Sequence, residues 1–307
     1  MIRNIFSLLI TLSVVGFFSG TPVWAAQKDK LVIAIQPTST PEQLSSQSQE
    51  LKDYLQKKLD RDVEIFFPTS YAGVIESLRF GHAHAAFMGS WPAVLAMTKA
   101  DADILLAEVR EVFIDDEKTE APYYFSYWVV LPESPYRTLD DLRGRRAAFS
   151  SKLSSSGYVA PLSRMVEMGL ISRKDGQLAD ANNFFGEVRF AGGYAQGWEA
   201  LKAGQIDVAL IAGDVPKALY NDVLENTRII EKQGPIPSHV VMAAPGISSE
   251  LKHELVEALM GLNEESYRPL MRQFVSGIFV RFELATEEHL VPLKRMVEMT
   301  GLEFIDK

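Results

Sequence analysis

Tyr71-Ala72-Gly73-Val74-Ile75-Glu76-Ser77-Leu78-Arg79-Phe80-Gly81 runs on into His82-Ala83-His84-Ala85-Ala86-Phe87-Met88-Gly89. The pattern returns as Tyr194-Ala195-Gln196-Gly197-Trp198-Glu199-Ala200-Leu201-Lys202-Ala203-Gly204, followed by Gln205-Ile206-Asp207-Val208-Ala209-Leu210-Ile211-Ala212. Tyr71/Tyr194, Glu76/Glu199, Leu78/Leu201, Gly81/Gly204 and Ala86/Ala209 are each 123 positions apart. Helix–glycine–strand units share a composition, so a single match means little. Identical spacing across the whole stretch points instead to two similar lobes. Each lobe then carries a tyrosine at a helix start, beside the C-terminal end of a strand, where open α/β sheets bind ligands.

The surrounding chain fits the same plan. Leu31–Ile35, Val63–Phe67 and Ala85–Met88 read as buried strands. Residues 41–59 read as a helix with Leu44, Leu51, Leu55 and Leu59 on one face, and residues 71–80 as another, ended by Gly81. Strand–helix alternation predicts an α/β fold with a mainly parallel sheet. Tyr123 to Leu131 is aromatic and β-prone, and Gly234 to Met242 is similar. They read as two strands crossing between lobes. The expected layout is a first lobe of residues 27–125 plus 238–307 and a second of 126–237. Pro161–Met168 and Pro292–Met299 form a second echo, read as two similar amphipathic helices with no assigned role.

Residues 1–25 differ from the rest. One charge, Arg3, precedes an apolar run from Ile5 to Phe18; Thr21-Pro22 and Val23-Trp24-Ala25 follow. This is the layout of a cleavable secretory signal, and the run is shorter than the roughly 20 residues of a membrane span. Cleavage is expected after Ala25, with Ala26 as a near alternative, and a soluble exported form thereafter. The full chain has 307 residues, a net charge of −9 and no cysteine. An acidic chain argues against phosphate-backbone binding, so no nucleic acid is expected. Without cysteine there are no disulfides, thiolate metal sites or cysteine nucleophiles.

One segment carries chemistry. In Ala147-Ala148-Phe149-Ser150-Ser151-Lys152-Leu153-Ser154-Ser155-Ser156-Gly157-Tyr158 an apolar strand end meets a cluster of hydroxyls and a helix start. Hydroxyls, backbone N–H groups and the helix dipole would converge there on an anion. A plain serine N-cap explains the same residues equally well. Enzyme signatures are missing: no G-x-S-x-G elbow, no P-loop and no G-x-G-x-x-G. Ser249-Glu250-Leu251-Lys252 matches S-x-x-K but opens a helix and reads as a cap. His82 and His84 read as a solvated corner, not a metal site. No catalytic residue, cofactor or metal is expected.

The series Ile35-Gln36-Pro37-Thr38, Ser70-Tyr71-Ala72-Gly73, Phe87-Met88-Gly89-Ser90, Ser154-Ser155-Ser156-Gly157-Tyr158 and Gly204-x-x-Asp207-Val208-Ala209 resembles the phosphate/phosphite/phosphonate solute-binding proteins of ABC transporters. The resemblance spans nearly the whole chain after residue 30. It implies an α/β, two-lobed type II periplasmic binding fold, a clamshell with mixed sheets and two crossing hinge strands. It implies that Ser154, Ser155, Ser156 and the N–H groups near Gly157 hold an oxyanion, with Tyr71 donating from the other lobe. Thr38, Met88, Gly89, Ser90, Tyr194 and His239 fall at further expected ligand positions. Three positions depart from the family pattern: Met88 stands where a tyrosine is usual, Tyr194 where a histidine is common, and Ser238-His239 where an acidic residue can occur. Asp214 is placed where an amine-bearing ligand could be met.

The expected protein is therefore a periplasmic receptor, monomeric, that delivers a phosphonate-type oxyanion to ABC permease subunits and meets the membrane only through them. The rival readings are a ligand-sensing subunit for a membrane histidine kinase and an enzyme on the same fold.

Overall fold

In the computed structural model, residues 30–36, 48–114, 117–173 and 177–302 are described. The expected signal segment, Thr38 and the first turns of the 41–59 helix lie outside these residues. In chain order the elements are β1 (Leu31–Ile35), α1 (Gln49–Leu59), β2 (Val63–Phe66), α2 (Tyr71–Arg79), β3 (Ala85–Met88), α3 (Ser90–Ala100), β4 (Asp103–Ile114), β5 (Glu117–Ala121) and β6 (Tyr123–Val130). Then follow β7 (Arg146–Phe149), α4 (Ala160–Glu167), β8 (Glu187–Phe190), α5 (Tyr194–Lys202), β9 (Ala209–Ala212), α6 (Lys217–Glu225) and β10 (Arg228–Pro237). The chain closes with β11 (Val240–Ala243), α7 (Ser249–Met260), α8 (Arg268–Phe274), β12 (Phe279–Leu284) and α9 (Val291–Thr300).

The first sheet runs β12-β4-β11-β3-β1-β2, with β5 on β4. Its centre is buried on both faces, as the continuous apolar strands require. Side chains alternate: Leu31, Ile33, Ile35 and Phe87 pack with Leu51, Leu55 and Leu259 on one face. Ala34, Ala86 and Met88 pack with Val74, Leu78 and Trp91 on the other. The second lobe holds β10-β6-β9 and the pair β7-β8, joined by a parallel bridge from Ala147 to Val208.

The internal echo has a topological counterpart. β3 lies between parallel β1 and antiparallel β11, and β1 also carries parallel β2. β9 lies between β7, through the Ala147–Val208 bridge, and antiparallel β6, and β7 carries parallel β8. α2 and α5 enter the matching strands and end alike. Phe80 N–H donates to Glu76 O and Gly81 N–H to Leu78 O; Ala203 and Gly204 do the same to Glu199 and Leu201. Gly81 and Gly204 have φ of 70° and 67°, the left-handed turn that favours glycine at a helix end.

Three boundary expectations change. Tyr123 to Val130 lies wholly in the second sheet, paired with β9 and β10, so the chain changes sheet at Pro122, not at residue 125. It returns through Ser238 and His239, and Ser238 N–H donates to Pro122 O across the two crossings (3.1 Å). α9 is not a first-lobe helix alone. Leu293 and Val297 join the first-lobe core, while Met296 packs against both cores. It also lies along α4, so the two helices of the second echo touch, with Ser163 Oγ 3.4 Å from Met299 Sδ. The cap of α7 is Ser248, whose Oγ accepts Leu251 N–H; Ser249 is the first helical residue. His84 Nδ1 accepts Val32 N–H (3.0 Å), a structural tie, while His82 is exposed.

Candidate ligand-binding site

A cavity of about 1180 Å³ opens between the lobes. Tyr71, Gln36 and Gly89 line it from the first lobe; Ser150, Ser154–Ser156, Tyr194 and Asp214 line it from the second. Tyr124 and His239 form part of the wall beside the crossings. No group of residues suited to a metal ion occurs among the described residues.

The serine segment does not run straight into an α-helix as expected. Residues Ser155–Val159 form one wide π turn, opened by Val159 N–H to Ser154 O, and α4 starts only at Ala160. Within the turn each serine accepts hydrogen bonds from the protein. Ser154 Oγ accepts Gly157 N–H (2.9 Å). Ser155 Oγ accepts Trp91 N–H (2.8 Å) and Ser90 Oγ–H (3.1 Å) from the other lobe. Ser156 Oγ accepts Tyr124 O–H (2.9 Å) and shares a 2.6 Å bond with Tyr194. A hydroxyl has two acceptor sites and one donor. With both acceptor sites of Ser155 filled, its hydrogen is left as a donor, which suits a ligand that only accepts.

The tyrosines strengthen that bias. Burial, then the nearby Asp214 charge, pushes the Tyr71 phenol up to about 12. Burial likewise raises Tyr124 and Tyr194. All three keep their protons at neutral pH. Gln36 Oε1 accepts Gly89 N–H (3.0 Å), and the Gln36 side chain hydrogen-bonds the Tyr71 hydroxyl. That relay fixes Tyr71 at the cavity wall.

Several expected site residues sit elsewhere. Met88 is buried in the apolar core below α2 and α3, because strand alternation turns Phe87 and Met88 to the two faces of the sheet and neither to the cavity. Gly157 N–H is engaged by Ser154 and is not free for a ligand. Its Cα is nevertheless constrained: an added Cβ would lie 1.8 Å from Ser150 Oγ. Ser90 is fully buried and reaches the site only through Ser155.

The largest feature that sequence reading missed is charged. Arg110 on β4 is wholly buried, with Nε and Nη2 donating to Glu108 Oε2 (2.9 and 2.7 Å) and Nη1 to Asp214 Oδ2 (2.8 Å). Its guanidinium lies 4.4 Å from the Tyr124 ring centroid. His239 Nε2 is 3.5 Å from Asp214 Oδ2, and its Nδ1 is 3.9 Å from Glu108 Oε1. Burial opposes the Arg110 charge, but the two carboxylates more than offset it and raise its pKa. Burial pushes Glu108 up to about 7 against the pull of Arg110, raises Asp214, and drives His239 well below its ordinary value. Asp214 thus faces the cavity already paired, not as a free carboxylate. The available signal was Glu108-Val109-Arg110: opposite charges two apart, hence on one face of a strand, directly after the apolar run Ile104 to Ala107.

With this geometry in view, comparison with known proteins is informative. The family model for the periplasmic substrate-binding proteins of phosphonate ABC transporters matches residues 33–290. The phosphonates-binding periplasmic protein of Escherichia coli K12 is 24% identical over 293 residues, covering 92% of this chain and 81% of that protein. A binding-protein component of an ABC phosphonate transporter from Pseudomonas aeruginosa superposes with a TM-score of 0.73 at 18% identity, covering 89% of this chain and 86% of the other. PhnD1 from Prochlorococcus marinus MIT 9301, solved with methylphosphonate, gives 0.70 at 15% identity, with 89% and 98% covered. These structures share the two-lobed type II periplasmic binding fold. The family match covers most of the chain, and its work is solute capture for transport: this chain belongs to the phosphonate periplasmic substrate-binding proteins of ABC transporters.

Proposed function

We propose that this protein captures a phosphonate-, phosphite- or phosphate-type oxyanion in the cavity between its lobes and hands it unchanged to ABC permease subunits. The observation that carries this reading is the serine turn. Ser154 and Ser156 each accept from a protein donor and Ser155 accepts from two, which disposes hydroxyl hydrogens of the turn toward oxyanion oxygens. Tyr71 donates from the opposite wall, and Tyr194 braces Ser156. Hydrogen bonds to a charged group contribute roughly 1.5–3 kcal/mol each. The chain acts as a monomer without covalent chemistry, after export and cleavage near Ala25. The lobes, 27–122 with 238–290 and 123–237, close about the paired crossings at Pro122 and Ser238, with α9 clasping both.

A thermal-shift screen of phosphite, phosphate, methylphosphonate, 2-aminoethylphosphonate, sulfate and arsenite tests the reading. A ligand at 100 times its Kd stabilises by about 2.7 kcal/mol, a readily measured shift. No response to any phosphorus oxyanion overturns it. Small-angle scattering with the best ligand then tests closure, with a smaller radius of gyration expected on binding.

A further inference from the structure

We propose that the cleft selects oxyanions whose organic group is uncharged and rejects those bearing an ammonium group, with Arg110 setting the choice by holding Asp214. This rests on the oxyanion reading above and names the substrate class within it.

An ammonium buried in a cleft needs a carboxylate partner to offset its lost hydration. Among the described residues, Asp214 is the acidic side chain on the cavity wall. Its Oδ2 is bound to Arg110 Nη1 at 2.8 Å, with His239 Nε2 at 3.5 Å. Arg110 has no exposed surface and cannot yield its place cheaply. Two further bonds tie it to Glu108, and the Tyr124 ring lies against its guanidinium. Displacing it would leave Glu108 buried without a partner, the costly way to break a buried ion pair.

Two carboxylates against one guanidinium leave one surplus negative charge. That surplus does not face the ligand. Glu108 is 1% exposed and is absent from the cavity wall. Burial opposes its ionisation, and the one member of the cluster that meets the cavity, Asp214, is already bonded to Arg110. The other full charges on the wall are cationic, Lys152 and Arg272. Around them are Pro92, Leu153, Phe190, Val215 and Leu219, an apolar lining with room far beyond a bare phosphite. Phe190 is 40% exposed, a large ring left open to the cleft. An alkyl group gains there by leaving water, and an ammonium gains nothing.

The test is calorimetry at pH 7.5 with two pairs that differ only by methyl against ammonium: n-propylphosphonate with 2-aminoethylphosphonate, and n-butylphosphonate with 3-aminopropylphosphonate. The alkyl member of each pair is expected to bind at least tenfold tighter. Equal or tighter binding of the amines overturns the selectivity while leaving the oxyanion reading intact. No binding of any phosphonate, phosphite or phosphate overturns both. Arg110→Met frees Asp214 and should narrow the gap within each pair at least tenfold; an unchanged gap in a folded variant removes Arg110 from the account. If that variant does not fold, the wild-type ratios in the two pairs decide.

Discussion

Tyr71 and Tyr194 occupy the same station in the two lobes, yet they are held differently. Each opens the helix between the second and third parallel strands, and each helix ends on the same glycine turn. α2 is capped by Ser70, whose Oγ accepts Gly73 N–H (3.1 Å); α5 starts after Gly193, which has no side chain to cap with. Tyr194 is locked 2.6 Å from Ser156 within its own lobe. Tyr71 is bonded by the Gln36 side chain of its own lobe and feels the charge of Asp214 on the other. A duplicated path therefore carries an asymmetric task. One tyrosine is bonded to the serine turn, and the other lines the opposite wall of the cavity. The charge at the join is asymmetric too: β4 of the first lobe supplies Glu108 and Arg110, and the second supplies only Asp214.

Removing that charge should have the largest effect. Arg110→Met leaves two buried carboxylates unpaired and costs about 3–5 kcal/mol of stability. Chemical denaturation measures it. A loss below about 1 kcal/mol would mean that the ion cluster does not hold the lobes together.

The two tyrosines can be separated next. Tyr71→Phe and Ser156→Ala change little volume and remove donors worth roughly 1.5–3 kcal/mol to an anion. At about 1.4 kcal/mol per decade, calorimetry should show ten- to a hundredfold weaker oxyanion binding. Tyr194→Phe, by contrast, should lower stability by about 1 kcal/mol, because Ser156 loses a buried partner. If Tyr71→Phe and Ser156→Ala both bind within twofold of wild type, the oxyanion sits elsewhere.

The glycines at the two cleft-facing helix starts give a third contrast. A Cβ at Gly89 would meet its nearest neighbours at 3.5 Å, an ordinary contact. At Gly157 it would lie 1.8 Å from Ser150 Oγ and 2.8 Å from Ser150 Cβ. Gly157→Ala should cost about 1–3 kcal/mol by overpacking. Gly89→Ala should cost less than about 1 kcal/mol, the difference between glycine and alanine at a helix start. Ser150→Gly should recover much of the Gly157→Ala loss, and no recovery would place the clash elsewhere.

The fold was legible because its signals are periodic and local. Apolar strands, amphipathic helices and left-handed glycines at Gly81 and Gly204 declare themselves over a few residues, and duplication printed them twice. The cluster of hydroxyls at a strand end was legible for the same reason, but the wide turn that holds them was not. What escaped was set by distance in sequence. Arg110 and Asp214 lie 104 residues apart, and only the folded chain shows that one answers the other. Met88 failed for a subtler reason. Its neighbours in sequence fit the family's pattern, but strand alternation turns its side chain into the core.

The smallest effect is a pH slope, and it isolates Glu108. Its carboxyl is pushed by burial from an ordinary 4.5 to about 7. The folded chain thus holds that proton where the unfolded chain releases it, so stability falls as pH rises from 4.5 toward 7. His239 and His289 act oppositely. Burial lowers both below 6.5, so the unfolded chain takes up protons first and stability falls as pH drops through 6.5. In wild type the two slopes overlap and oppose each other. Glu108→Gln keeps an oxygen to accept from Arg110 but removes the acid. Every other titrating group is common to both proteins and drops out of the difference. Between pH 7 and pH 5 the melting temperature of Glu108→Gln should therefore fall relative to wild type, at roughly 2–4 °C per kcal/mol for a chain of this size. Parallel curves across that range would mean that Glu108 stays ionised, and the cluster at the join would then carry a net negative charge beside the cavity.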